Sequence, residues 1–238
     1  MASSNQEDKF AIHQACRDGQ TNAVEALLNA NPKLSSRRDD DDRLPVHWAA
    51  SFNRLPIVEL LADRKGFDAD VQDGAGWTPL MIASSLKDGD ALVDFLLNKD
   101  ADPSMTTNNG QTALHFAASK SNLDTAKKLI AKKASARLKD KRGQLPLHRA
   151  SAVGNGPIVK LLLESRSPVN ATDMDGCTAL HHEAIAEGHG DTALVLLKAG
   201  AQTDKKDNSG ALAIDLAPDA KVRSYILRAA EEEGIDFV

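Results

Sequence analysis

The chain is short of aromatic rings, of cysteines and of long apolar runs, and each shortage narrows what it can be. Aromatics are 4% of its 238 residues. A core with so few large rings must be built from Ala, Leu, Val and Ile, which suits thin, closely stacked layers better than a thick globular centre. The two cysteines, Cys16 and Cys177, lie far apart and make no zinc or redox spacing. They fit small buried thiols in a reducing compartment. No apolar run approaches the length of about 18 residues that a membrane span needs. The first residues, Met1-Ala2-Ser3-Ser4-Asn5-Gln6-Glu7-Asp8, are polar and acidic, unlike a signal or transit peptide. A basic excess is missing too: the net charge is −5 and the pI is near 5.8. That argues against a nucleic-acid partner, whose binding footprint is basic. A soluble protein without membrane contact is expected.

Catalytic signatures are also absent. There is no phosphate-binding glycine loop, no nucleophile elbow and no pair of facing carboxylates. No enzyme activity and no cofactor are therefore expected. The run Asp39-Asp40-Asp41-Asp42 lacks the glycine and the distant glutamate of a calcium loop. It fits a solvated turn that can meet a basic partner. His182, Glu183, Glu187 and His189 cluster in sequence. A helical zinc motif needs a second histidine four residues after the first, and Ala186 stands there. No metal is expected.

What is there is a period. The segment Thr112-Ala113-Leu114-His115-Phe116-Ala117 has relatives along the whole chain. They include Phe10-Ala11-Ile12-His13-Gln14-Ala15, Leu44-Pro45-Val46-His47-Trp48-Ala49, Thr78-Pro79-Leu80-Met81-Ile82-Ala83 and Leu145-Pro146-Leu147-His148-Arg149-Ala150. Thr178-Ala179-Leu180-His181-His182-Glu183 and Leu212-Ala213-Ile214-Asp215-Leu216-Ala217 complete the series. The fourth position falls at 13, 47, 81, 115, 148, 181 and 215, in steps of 34, 34, 34, 33, 33 and 34. Chance does not give such steps.

Each unit has a physical reading. Asp-x-x-Gly segments such as Asp73-Gly74-Ala75-Gly76 and Asp140-Lys141-Arg142-Gly143 make tight turns that project as finger tips. The Thr or Leu that follows opens a short inner helix, with proline in its first turn. A small Ala lets neighbouring inner helices approach. An outer helix follows, as in Ile158-Val159-Lys160-Leu161-Leu162-Leu163. No unit can bury its own apolar face, so stability comes from stacking. Extra residues near Lys87-Asp88 and Glu183-Ala184 should bulge at the ends of two inner helices. His13, His47, His115, His148 and His181 share one position and are expected to tie backbone groups of adjacent turns.

The period and the T-P-L-H-x-A core resemble ankyrin repeats. The fold class that this resemblance implies is all-α, an ankyrin-repeat solenoid of seven helix-turn-helix repeats. Their expected bounds are 5–38, 39–72, 73–106, 107–139, 140–172, 173–206 and 207–238, the first and last being caps. The positions that the repeat leaves free should line a concave protein-binding face. They are Asp40, Asp41, Arg43, Ser51 and Phe52 in repeat two and Ala75, Trp77, Ser85 and Leu86 in repeat three. Repeats four and five supply Asn108, Asn109, Gln111, Ser119 and Lys120, then Lys141, Arg142, Gln144, Ala152 and Val153. Repeat six supplies Met174, Asp175 and Cys177. Arg149, within the repeat-five motif, is counted with the binding residues. Trp48 fits either this face or the packing between repeats.

Arg43-Leu44-Pro45-Val46-His47-Trp48, Gly76-Trp77-Thr78-Pro79-Leu80, Gln144 through Gly154 and Ala186 through Asp191 further resemble the gankyrin family, the last segment in its fungal form. That resemblance implies an assembly chaperone of the 26S proteasome regulatory particle, working in cytoplasm and nucleus. It implies a partner, the C-terminal domain of one regulatory-particle ATPase subunit, and a steric delay of docking onto the core particle. It implies that Arg43 and Lys120 meet carboxylates of that domain and that acidic tips meet its arginines. A monomer is expected when the protein is free. Gly74 stands where the family has a second acid. The segment tied to retinoblastoma-protein binding in animals is absent, so that activity is not implied. The rival expectation is a sequestering inhibitor or adaptor of a kinase or transcription factor.

Overall fold

The computed structural model describes residues 10–181 and 190–236. The chain forms two compact units, residues 1–108 and 109–238. The first contains α1 (Ala11–Asp18), α2 (Thr21–Ala30), a 3-10 turn (Pro32–Ser36), α3 (Pro45–Ser51), α4 (Leu55–Ala62), α5 (Pro79–Ser84) and α6 (Asp90–Asn98). The second contains α7 (Ala113–Ser119), α8 (Leu123–Ala131), α9 (Pro146–Ala152), α10 (Gly156–Glu164), α11 (Gly190–Lys198), a 3-10 turn (Ala213–Leu216) and α12 (Ala220–Glu232). Among the described residues there is no strand, only an isolated bridge between Lys206 and Leu212.

The inner helices α3, α5 and α9 begin with proline after an extended Leu or Thr. A proline there loses no hydrogen bond that the helix would have made. Histidine closes the helix start. The Leu44 N–H donates to His47 Nδ1 at 3.0 Å, Thr112 to His115 at 3.1 Å, Leu145 to His148 at 3.1 Å and Thr178 to His181 at 3.2 Å. The other ring nitrogen reaches the next turn: His47 Nε2 lies 3.1 Å from the Val71 carbonyl and His115 Nε2 3.1 Å from that of Gln144. A carbonyl only accepts, so Nε2 carries the proton and the ring is neutral. Burial acts the same way, pushing His47 and His148 below the ordinary value and His115 down to about 4. The tie between turns expected of these rings is therefore present at His47 and His115, and also at His13, whose Nε2 lies 3.0 Å from the Arg37 carbonyl, whereas His148 Nε2 is buried without a hydrogen-bond partner. Where histidine is missing, the cap is improvised. Asp215 accepts the Leu212 N–H at 3.3 Å, and Thr78 Oγ1 accepts that of Met81 at 3.3 Å.

Within each unit the inner helices meet through alanines. Ala49, Ala50 and Ala83 in the first unit, and Ala117, Ala118 and Ala150 in the second, expose no surface. The outer helices supply larger side chains, with Val58, Leu92, Leu96, Leu129, Leu162 and Leu196 equally buried. Each such leucine contributes roughly 1.5–3 kcal/mol relative to exposure.

The tips are aspartate-closed turns. Asp73 Oδ1 accepts the N–H groups of Ala75 at 3.0 Å and Trp77 at 2.9 Å, and Asp140 Oδ1 those of Arg142 and Gln144 at 2.9 Å. The fourth turn residue is left-handed, with φ 80° at Gly76 and 75° at Gly143. A Cβ at Gly76 would stand 2.6 Å from the Asn108 nitrogen, so the neighbouring tip also requires glycine. Tips are joined in series. The Gly74 N–H donates to the Asp41 carbonyl at 3.0 Å and that of Asn108 to Ala75 at 3.0 Å. In the second unit Lys141 donates to Asn109 at 2.9 Å, Met174 to Arg142 at 2.9 Å and Asn208 to Asp175 at 3.0 Å. The extra residue expected near Lys87-Asp88 lengthens the link between α5 and α6 to residues 85–89, against 52–54 between α3 and α4. The extra residue expected around Glu183-Ala184 lies outside the described residues, as do His182, Glu183, Glu187 and His189.

Candidate protein-binding faces

In the first unit a groove of about 660 Å³ runs beside α1 and the Asp39–Arg43 turn. Phe10, His13, Gln14, Asp18, Asp39, Asp40, Asp41 and Trp48 line it. Its wall is braced from within. Trp48 Nε1 donates to Asp39 Oδ2 at 2.6 Å, and the Trp48 ring stacks on Phe52 at 6.3 Å between centroids. Arg43 lies over the Trp48 ring at 5.4 Å, while its Nε meets Asp73 Oδ2 at 3.1 Å. A second cleft of about 640 Å³ separates Asp40, Asp41 and Asp42 from Asp73, Gly74 and Ala75. This face is acidic at its tips and aromatic at its base. Burial would raise the Asp39 carboxyl, but the Trp48 indole and the Arg43 and Asp41 N–H groups outweigh it and hold the carboxyl below the usual range. Asp39 is thus ionised at neutral pH.

The second unit presents a different face. Lys120 caps the end of α7 and is exposed, as are Lys141 and Arg142 at their tip. Arg149 Nη2 meets Asp140 Oδ2 at 2.9 Å, with the carboxylate 2% exposed and the arginine 26%. Burial would raise Asp140 too, and the Arg149 hydrogen bond heads the groups that lower it. Asp175 is exposed at the next tip. Beside it Met174 is 71% exposed and Val153, at the end of α9, 41%. This face is basic, with two apolar side chains open to contact.

The expected binding residues lie on tips or at inner-helix ends, except Arg149 in the middle of α9, but not all are equally available. Asp40, Asp41 and Phe52 are exposed in the first unit, and Arg43 and Trp77 are half-buried. Arg43 and Arg149 are already engaged with buried carboxylates inside the protein. Trp48 both packs and lines the groove. Two expected positions are corrected. Gln144 is buried, its amide donating to Asp173 Oδ2 at 3.2 Å, and Cys177 is buried beside Asp173, whose Oδ1 accepts its N–H at 3.0 Å. Each sits one place past the left-handed residue; the Gln144 side chain turns toward the following tip, and the Cys177 thiol toward the Asp175 carbonyl of its own. Gln14 and Asp18 also line the groove, from the first repeat, outside the positions named from the sequence. Gln14 follows His13 as Trp48 follows His47 and Arg149 follows His148, and that register was the signal. Cys16 is buried, and burial pushes its thiol up to about 12. Among the described residues no three metal-ligating side chains come together, and no helix is long and apolar enough to cross a membrane.

Each unit thus repeats one arrangement, capped inner helices with serially joined tips. A family model described as ankyrin repeats matches residues 1–73, 63–140 and 120–207. A Saccharomyces cerevisiae protein named "Probable 26S proteasome regulatory subunit p28" is 39% identical over 92% of this chain and 97% of its own. The chain belongs to the gankyrin family. An ankyrin repeat-containing protein of Schizosaccharomyces pombe, C6C3.08, is 39% identical over 95% of this chain and 97% of its own. The human ASB11 ankyrin repeat domain matches in structure with a TM-score of 0.81, over 91% of this chain and 96% of that one, at 22% identity. That last likeness concerns the all-α ankyrin-repeat solenoid fold alone. The gankyrin family is one of protein-interaction modules rather than enzymes.

Proposed function

We propose that the protein is an assembly chaperone for the base of the proteasome regulatory particle. It holds the C-terminal domain of one ATPase subunit against its inner-helix and tip surfaces. While bound, its bulk keeps the ATPase ring from docking fully on the core particle. The observation that carries this reading is the near end-to-end likeness to yeast p28, 39% identical over 92% of the chain. The charge pattern supports it. Asp40 and Asp41 suit a basic patch on the partner, and Lys120, Lys141, Arg142 and Asp175 suit a patch of mixed sign. Phe52, Trp77, Arg43 and Arg149 supply the aromatic and arginine types enriched in binding hot spots. The seven-repeat division belongs to the same proposal, as do a monomeric free form and a cytoplasmic and nuclear location.

Calorimetry of the full chain with the isolated ATPase C-terminal domain tests it. Lys141→Glu together with Arg142→Glu is expected to weaken binding about a hundredfold or more, since truncating one partner of a desolvated charge pair removes roughly 2–5 kcal/mol. Lys160→Glu, exposed on the outer helix α10, is expected to bind as wild type does. Unchanged binding by the double reversal overturns the assignment of the basic face. Mass spectrometry of co-purified proteins addresses the rival class: a kinase or transcription factor without any ATPase subunit replaces the chaperone reading with a sequestering inhibitor.

A further inference from the structure

We propose that the groove between the Pro32–Ser36 turn and the loop 64–67 in the first unit docks a partner's protein segment carrying carboxylates beside a large apolar side chain. The groove encloses about 490 Å³ and is separate from the face on which the chaperone reading rests.

Its origin lies in chain length. From Val24 to Asp39 and from Val58 to Asp73 the chain runs one residue longer than from Val93 to Thr107, Ala126 to Asp140, Val159 to Asp173 or Ala193 to Asp207. In those shorter connections a small side chain seals the end of the outer helix: Ala101, Ala134, Ser167 and Ala201 are all buried there. Counted back from the tip, Lys33 and Phe67 hold that place in the longer ones; neither is small, and Lys33 is exposed and Phe67 only half-buried. The two loops that leave this space open lie side by side and wall one groove.

Its chemistry is selective. Leu44, Phe67 and Val71 make an apolar floor, each half-buried and still in part accessible. Lys33, Arg64 and Lys65 stand around it, against the one acid Asp68. Arg64 is incompletely satisfied. Its Nε is buried with no hydrogen-bond partner, and its two Nη atoms lie 3.4 and 3.5 Å from Asn29 Oδ1, at the outer limit of a bond. A buried donor without an acceptor is costly, and a guanidinium is best satisfied by a carboxylate that accepts from two of its nitrogens. An apolar side chain on the floor and a carboxylate on Arg64 would together complete the site.

The probe is a short fluorescein-labelled peptide alternating Glu with Leu, followed by anisotropy with the full chain. Saturable binding is expected, weakened about tenfold or more in Arg64→Glu with Lys65→Glu, and lost for a peptide with Lys in place of Glu. Ser36→Trp, which fills the groove from the opposite wall, should weaken binding without touching a charge. Melting curves establish that each variant is folded. No binding by the wild type, equal binding by the folded charge variant, or equal binding of the lysine peptide overturns the proposal. So does a self-dimer in sedimentation that Arg64→Glu disrupts, since the occupant would then be a second copy. None of these outcomes bears on the ATPase interaction, which uses other residues.

Discussion

The tips at Asp39 and Asp140 are built on one plan and held by different chemistry. In both, Oδ1 accepts two backbone N–H groups, and Oδ2 accepts from the residue that follows the inner-helix histidine. At Asp39 that residue is Trp48, a neutral donor at 2.6 Å. At Asp140 it is Arg149, a cation at 2.9 Å. The first tip is also more open. Asp39 is half-buried, whereas Asp140 is buried, and the left-handed place is Asp42 in one and Gly143 in the other. The same turn is thus buried and charge-compensated in one unit, and wetter, more acidic and aromatic-backed in the other. A conserved turn geometry leaves the repeat free to set the polarity of its exposed edge.

The largest expected effect separates the tips from the helices below them. His47, His115 and His148 titrate below their unfolded value, so the unfolded chain binds protons more readily as pH falls. Their contribution is intact above about pH 6.5 and is lost as pH drops from there toward about 4, the His115 value. The depressed carboxylates Asp39 and Asp140 keep their contribution until pH falls below the usual carboxylate range. Stability is expected to fall by several kcal/mol between neutral pH and pH 4 while the tips stay ionised. Denaturant midpoints that stay level across that interval would show that the rings are not held neutral by burial.

Next comes the comparison itself. Asp140→Ala strips two backbone donors and Arg149 of their acceptor in a buried place, and should lower stability by about 2–4 kcal/mol. Asp39→Ala removes the same number of bonds in a wetter site, where water replaces part of them, and about 1–2 kcal/mol is expected. Equal losses in thermal melting would break the distinction between the tips.

The smallest effect concerns the left-handed residue. Gly143→Ala is expected to lower stability by about 1–2 kcal/mol, because a Cβ there would lie 3.1 Å from Asp173 Cα in a conformation that disfavours side chains. Asp42→Gly should raise it by about 0.5–1 kcal/mol, less the added freedom of the unfolded chain. A destabilised Asp42→Gly would mean that the Asp42 side chain holds the tip in a way that Gly143 does not need to.

Much of this was legible in the sequence. The histidine register placed the inner helices, and the link lengthened at Lys87-Asp88 followed from one residue too many between two motifs. The longer loops before Asp39 and Asp73 were not legible. A repeat length of 34 residues does not reveal them, because only the helix ends show where the added residue falls. Gln144 and Cys177 escaped for a related reason. They share a tip position with Arg43 and Trp77, which stay partly exposed, and the backbone pattern is the same at all four.

The sequence by itself determined the repeat, the order of short and long helices, the alanine contacts and the sign of charge on each tip. These depend on neighbours close along the chain or one period away, so the spacing records them. Tertiary structure decided which of those charges are spent internally, as Arg43 is on Asp73 and Arg149 on Asp140. It also decided which glutamine turns inward and where two loops leave a groove. Those outcomes depend on distances of a few ångströms between side chains of successive layers, and a period in sequence fixes the layers without fixing the reach of each side chain.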